Sequence, residues 1–356
     1  MAQSSSSVTG MERTLGVIGL PIGYNFGIDM RMWSIGDKFT GVRNILPGFH
    51  YVYYSDPQDE VRQGFFLWIA SDSGVIVRKW DSSIESLTAV SNRDEESNMK
   101  ATFVNDFRYI SGLAPYDKCT DEESSRDWRS ASRFITPEVL ARIQPLNALA
   151  FKSRPQSSIE IDTSDVPTIF WTDIGKVKLP LGTPSDLVTR HNVDRTLHLE
   201  QVIEASGYTN AVNLVGELQA SFILFLLGLN YDAFVQWRRL LELFLGCREA
   251  GIRAHALQFT VFCESLLFQI KQLPEDYLFD GGMTDDNIPH SRNSKSVFIL
   301  PLLAEFILTC SDESLLTEPE LTRAVDNLDR VMNEKYGNEW TGLFAPDEDL
   351  PVIVDH

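Results

Sequence analysis

Between Pro21 and His50 the chain sets aromatic residues between closely spaced glycines: Tyr24, Phe26, Trp33, Phe39 and Phe49 are interleaved with Gly23, Gly27, Gly36, Gly41 and Gly48. Glycine costs a helix about 1 kcal/mol at each interior position, so this spacing rules out a long helix and favours short strands joined by tight turns. Strand-forming runs are predicted at Thr14–Gly19, Ile28–Ser34, Phe49–Ser55, Gly64–Ala70 and Val75–Trp80. Ser71-Asp72-Ser73-Gly74 between the last two reads as a hairpin turn. Strands at intervals of roughly ten residues imply a small antiparallel sandwich or barrel. Tyr51 and Tyr53 share one sheet face by alternation.

The pattern then changes. Residues 94–109 carry Met99, Phe103 and Phe107 four apart, a helical period. Trp128 is the one large apolar residue in the polar stretch Asp117–Arg133, and Thr136-Pro137 opens a short helix. Ile159–Ile161 and Thr168–Trp171 are expected to return to the first sheet. From Asp186 onward the chain reads as helical throughout. Asp194 caps a helix ending at Gly207, and Leu214–Leu229 is apolar on all sides, as in a buried helix. Gly228-Leu229-Asn230 breaks it. A second helix, capped by Asp232, lines one face with Phe234, Trp237, Leu241 and Phe244 and turns Gln236, Arg239 and Glu242 to water. Further helices are expected at Ile252–Lys271, from Pro301, and from a Thr317 cap to Tyr336.

The predicted fold class is therefore α+β with two domains: a β-rich, sandwich- or barrel-like N-terminal domain and an all-α, solenoid-like or bundled C-terminal domain. The expected boundaries are a disordered start at 1–10, the β-rich domain at 11–178, a linker at 179–190, the helical domain at 191–342, and an acidic, strand-forming tail at 343–356. No signal peptide or membrane span is expected, and the four cysteines, lacking any C-x-x-C pair, suit a reducing compartment. Cys247, Cys263 and Cys310 sit in apolar helical stretches as core residues.

Chemistry-bearing motifs are sparse. Gly16, Gly19 and Gly23 lack the G-x-G-x-x-G spacing and are expected in turns. The six histidines show no metal-ligand spacing, and His50 is expected to pack near a turn. The acidic triplets at 94–96 and 121–123 read as solvated helix starts. Tyr51, Tyr53 and Tyr54 can stack on RNA bases only with basic neighbours, and the formal charge of −19 opposes phosphate binding. No catalytic, cofactor or metal residues are assigned, and no cofactor is expected. The tail residues Val352, Ile353 and Val354 form a β-branched triplet that pairs either with the chain's own sheet or with the edge of a partner's.

Several blocks occur together in order: Phe26-Gly27-Ile28-Asp29 through Trp33, Lys38-Phe39-Thr40-Gly41-Val42, Pro47-Gly48-Phe49-His50, Thr189-Arg190-His191 through Asp194, and Gly216-Glu217-Leu218-Gln219-Ala220-Ser221-Phe222 through Gly228, followed by Tyr231-Asp232-Ala233-Phe234 and Trp237-Arg238-Arg239-Leu240-Leu241. Together they resemble the a-one/alpha-two repression (AAR-two) splicing factors. The resemblance implies a non-enzymatic assembly factor of the U5 small nuclear ribonucleoprotein. Such a factor would bind its large scaffold protein (Prp-eight), hold off premature joining of the helicase, be monomeric when free, and be both cytoplasmic and nuclear. The residues leave two rival classes open: an RNA-binding module, and a hydrolase or oxidoreductase with an unrecognised site. Serines at 153–158 and 291–296 are candidate sites for phosphorylation that would trigger release.

Overall fold

The computed structural model describes residues 13–58, 61–119, 122–144, 151–152, 169–273, 299–311 and 318–344. The expected disordered start, both serine stretches, Ile159–Ile161, Thr317 and the Val352–Val354 triplet lie outside the described residues.

In chain order the elements begin with β1 (Thr14–Ile18), β2 (Asn25–Ile28), β3 (Arg31–Ser34), β4 (Gly41–Arg43), β5 (Gly48–Ser55), β6 (Arg62–Ile69), β7 (Val75–Asp81) and β8 (Ser86–Ala89). Then come α1 (Arg93–Asn105), α2 (Phe107–Ser111), β9 (Leu113–Pro115), α3 (Tyr116–Cys119), α4 (Glu122–Ser132), α5 (Pro137–Ile143) and β10 (Phe151–Lys152). Helices follow: α6 (Ser185–Val193), α7 (Thr196–Ser206), α8 (Val212–Gly228), α9 (Tyr231–Leu245), α10 (Glu249–Ala254), α11 (Ala256–Gln272), α12 (Leu300–Cys310), α13 (Pro319–Tyr336) and α14 (Asn338–Thr341). Sheet-rich and helical regions thus succeed one another as the periodicity predicts. By contact the chain falls into two compact units, one running up to Thr172 and including Gly216–Trp237, the other comprising Asp173–Val215 and the residues from Arg238 onward.

The first unit is built on two five-stranded sheets, ordered β8-β7-β1-β4-β9 and β10-β6-β5-β2-β3. They form an open sandwich and do not close into a barrel. Leu15, Val17, Val42 and Leu87 from one sheet and Phe26, Ile28, Val52, Phe65 and Leu67 from the other make one buried core. The expected antiparallel arrangement needs correction, because β1 runs parallel to β7 and β4 parallel to β9. The Ser71–Gly74 turn does not close a hairpin. It carries the chain from β6 in the second sheet to β7 in the first, where Val77 pairs with Gly16. The run Ile28–Ser34 is two strands, since Asp29, at φ 57°, turns β2 back on β3. Ile169–Trp171 is not a strand.

α1 covers the outer face of the first sheet, where Phe103 packs with Val77 and Leu113. Gly16 is needed there, since a Cβ would stand 2.4 Å from the Phe103 ring. The helical stripe stops short of Phe107, which is 78% exposed. Asp106 ends α1 and its carboxylate caps α2, so the period is broken between Phe103 and Phe107. On the second sheet Phe49, Tyr51 and Tyr53 point outward. Trp128 of α4 stacks on Phe49 and donates Nε1–H to its carbonyl at 2.7 Å. The Tyr51 and Tyr53 rings stack 5.4 Å apart over Gly27 and Gly64, where any Cβ would strike them.

Within the second unit, Gly207 (φ 72°) ends α7 as expected; the N-cap position is Arg195 rather than Asp194, whose carboxylate sits one residue earlier and accepts from the backbone and hydroxyl of Thr196. The Ile252–Lys271 stretch is broken at His255 into α10 and α11. Phe244, Phe259, Phe262 and Phe306 form an aromatic core. Pro301 lies in the first turn of α12, and Lys335 of α13 donates to the Ile270 and Leu273 carbonyls at the end of α11. Cys263 and Cys310 lie in buried helical positions; Cys247 is buried but sits just past α9.

Candidate functional site

The chemistry-bearing side chains of the first unit converge where the β2–β3 turn meets β5. Asp29 is fully buried and accepts three hydrogen bonds: from His50 Nδ1 at 2.7 Å, Tyr116 Oη at 2.5 Å and the Tyr51 N–H at 3.1 Å. His50 Nε2 lies 2.7 Å from the Leu46 carbonyl. A carbonyl can only accept, so Nε2 carries a proton, and Nδ1 donates its own to the carboxylate. Burial alone pushes the His50 pKa down, but the charge and hydrogen bond of Asp29, with the Leu46 bond, together hold it above its ordinary 6.5. An imidazole donating from both nitrogens has no lone pair to offer a substrate. This triad therefore works as a fastener rather than as an acid–base pair.

The folded state holds the His50 proton more tightly than the unfolded chain does, so the stabilisation is complete below pH 6.5 and lost as pH rises through the raised folded pKa. Melting temperatures recorded from pH 6 upward are expected to fall faster for the natural chain than for His50→Gln. Parallel curves would show that the pair does not titrate with folding.

Above this fastener lies a groove of about 380 Å³. Leu46, Tyr116 and Asp117 line it together with Glu122, Ser125, Arg126 and Arg129, which form one stripe of α4. Trp128 and Ser132 on the opposite stripe are buried, so the groove residues are the outward face of an anchored helix.

A second polar cluster holds Thr172. Glu217 is completely buried, and its carboxylate accepts from the Thr172 N–H, the Thr172 hydroxyl and Gln236 Nε2 at 2.7, 2.7 and 2.9 Å. Gln236 was expected to face water; it is buried and also donates to the Thr172 carbonyl. Nor is Asp232 the cap of α9, for the Asn230 side chain accepts from the Ala233 N–H. Glu242 is half-buried beside Arg238, and Arg239 is exposed as expected.

The other sequence candidates do not assemble. Tyr51, Tyr53 and Tyr54 are almost wholly buried, so none offers a ring to a base. Tyr54 Oη instead accepts from the Leu87 N–H across the sandwich. His198 bonds the Ile174 carbonyl. Gly19 and Gly23, at φ 81° and 88°, occupy turns. Among the described residues no group of three metal-ligating side chains converges, and no helix is long and apolar enough to cross a membrane. The Asp29–His50–Tyr116 triad itself escaped the sequence reading. The one local signal was an aspartate inside the predicted run Ile28–Ser34, a residue type that tolerates positive φ.

Two family descriptions match the chain. Residues 11–145 match the AAR2 N-terminal domain and residues 171–341 the AAR2 C-terminal repeat region. The mouse protein named Protein AAR2 homolog is 26% identical in an alignment covering 96% of this chain and 93% of that protein. The human protein of the same name gives the same three figures. The Saccharomyces cerevisiae A1 cistron-splicing factor AAR2 is 21% identical, over 72% of this chain and 76% of its own length. With both regions matched in order over most of its length, this chain belongs to the AAR2 family.

Proposed function

We propose that this chain is a non-enzymatic splicing factor. It binds the large U5 scaffold protein (Prp-eight) while the particle is being assembled, in cytoplasm and nucleus, and holds off premature joining of the helicase. The observation that carries this reading is the match to both AAR2 regions, joined by a yeast relative named as a splicing factor. The AAR2 family is not known as an enzyme family. The polar clusters of the first unit also support a docking protein, since their reactive groups are spent on internal hydrogen bonds.

Affinity purification of the tagged chain from cell extract, with identification of what co-purifies, is the direct test. The scaffold protein is expected without the helicase. Its absence, or its recovery together with the helicase, would overturn the reading. In the same system, removing residues 350–356, which include Val352, Ile353 and Val354, is expected to weaken scaffold binding about tenfold, as for the loss of a short added strand. The melting temperature is expected to stay within about 2 °C. A large fall in melting temperature would assign those residues to the chain's own fold.

A further inference from the structure

We propose that the groove beside α4 docks an extended protein segment carrying one acidic and one basic side chain on either side of an apolar one. This goes beyond the splicing role and does not depend on it.

Arg108, Arg238, Arg248 and Arg330 are each ion-paired with a carboxylate. Arg126 and Arg129 are among the arginines that are not, and these two line one groove together. The Nε of each donates to a carbonyl of its own helix, that of Glu122 and of Ser125 respectively. Among the described residues neither guanidinium is in an ion pair. Their terminal N–H groups are therefore free to fork onto an incoming anion, and residues three apart on a helix are near enough to share one.

Asp117 and Glu122 line the same groove. They select against a polyanion such as RNA, which would be repelled by both. A ligand with one charge of each sign satisfies all four side chains. Leu46 adds an apolar contact. The Leu46 backbone is held by His50 and the Tyr116 hydroxyl by Asp29, so both positions are set before a ligand arrives. Such preorganisation lowers the ordering cost of binding. The volume of about 380 Å³ lies in the range of ligand clefts and suits a few residues of extended chain.

Saturation-transfer NMR on the full chain with the probe peptide acetyl-Gly-Glu-Leu-Lys-Gly-amide tests this. The leucine methyl signals are expected to saturate, with a dissociation constant of about a millimolar. The double variant R126Q/R129Q is expected to weaken binding about tenfold. Both side chains are exposed, so its melting temperature should not move. A peptide with glutamine in place of glutamate should lose the same factor, and should lose nothing more on the double variant. No saturation at about 10 mM peptide, equal binding by the variant, or tighter binding of a phosphoserine peptide or a single-stranded RNA would each overturn the proposal.

Discussion

Replacing Asp29 with alanine is expected to lower the melting temperature by roughly 10 °C. The carboxylate is fully buried and takes hydrogen bonds from His50, Tyr116 and the Tyr51 backbone. Alanine leaves three donors without an acceptor, one of them on the imidazole whose charged form this carboxylate favours. Breaking a buried pair from one side costs about 3–5 kcal/mol. The backbone adds to this, since at φ 57° a residue lacking a short polar side chain pays about 1 kcal/mol or more. At about 2–4 °C per kcal/mol for a unit of this size, the sum spans about 8–24 °C, and the stated fall takes the lower part of that range because the site can relax. Asp29→Asn keeps the turn and one acceptor oxygen, and should lie between the two. Tyr116→Phe removes one bond only, and should cost about 1–2 kcal/mol. Thermal melts followed by circular dichroism decide the matter. An alanine variant melting within about 2 °C of the natural chain would mean that the triad is dispensable.

This triad also shows what a sequence can and cannot disclose. The strands β5 and β6 were legible because aromatic and β-branched residues dominate both, and α8 because its apolar residues run all round. Those signals are local. The Ser71–Gly74 turn is local too, and it does reverse the chain; which sheet the next strand joins depends on where β1 already lies. The split at Asp29 was missed because Ile28–Ser34 reads as one β-prone run, and a positive φ leaves no mark in hydrophobicity. Phe107 was misplaced because the periodic reading gave no weight to Asp106, whose side chain caps α2. The triad draws on positions 29, 50 and 116, which only the folded sandwich brings together. Gln236 looked solvent-facing because a polar residue on an amphipathic helix usually is, and its partners Thr172 and Glu217 lie 64 and 19 positions away.

Glu217→Ala is expected to free Thr172 and its neighbours from the α8–α9 hairpin. Glu217, Thr172 and Gln236 form a closed ring in which every hydrogen bond is shorter than 3.0 Å. Removing the carboxylate strands an N–H, a hydroxyl and one of the two Gln236 amide hydrogens where water does not reach, at about 3 kcal/mol in total once partial relaxation is allowed. Glu217→Gln keeps the shape but has one acceptor oxygen for three donors, so it should cost about half as much. The distinguishing readout is local. Amide exchange at Thr172 should speed up about 100-fold in the alanine variant, since 1.4 kcal/mol corresponds to tenfold in the opening equilibrium. Amides in β5 and β6, held by their own ladder, should change far less. Uniform acceleration across the unit would make Glu217 a general contributor to stability, and unchanged exchange at Thr172 would mean that the ring is not what holds the segment in place.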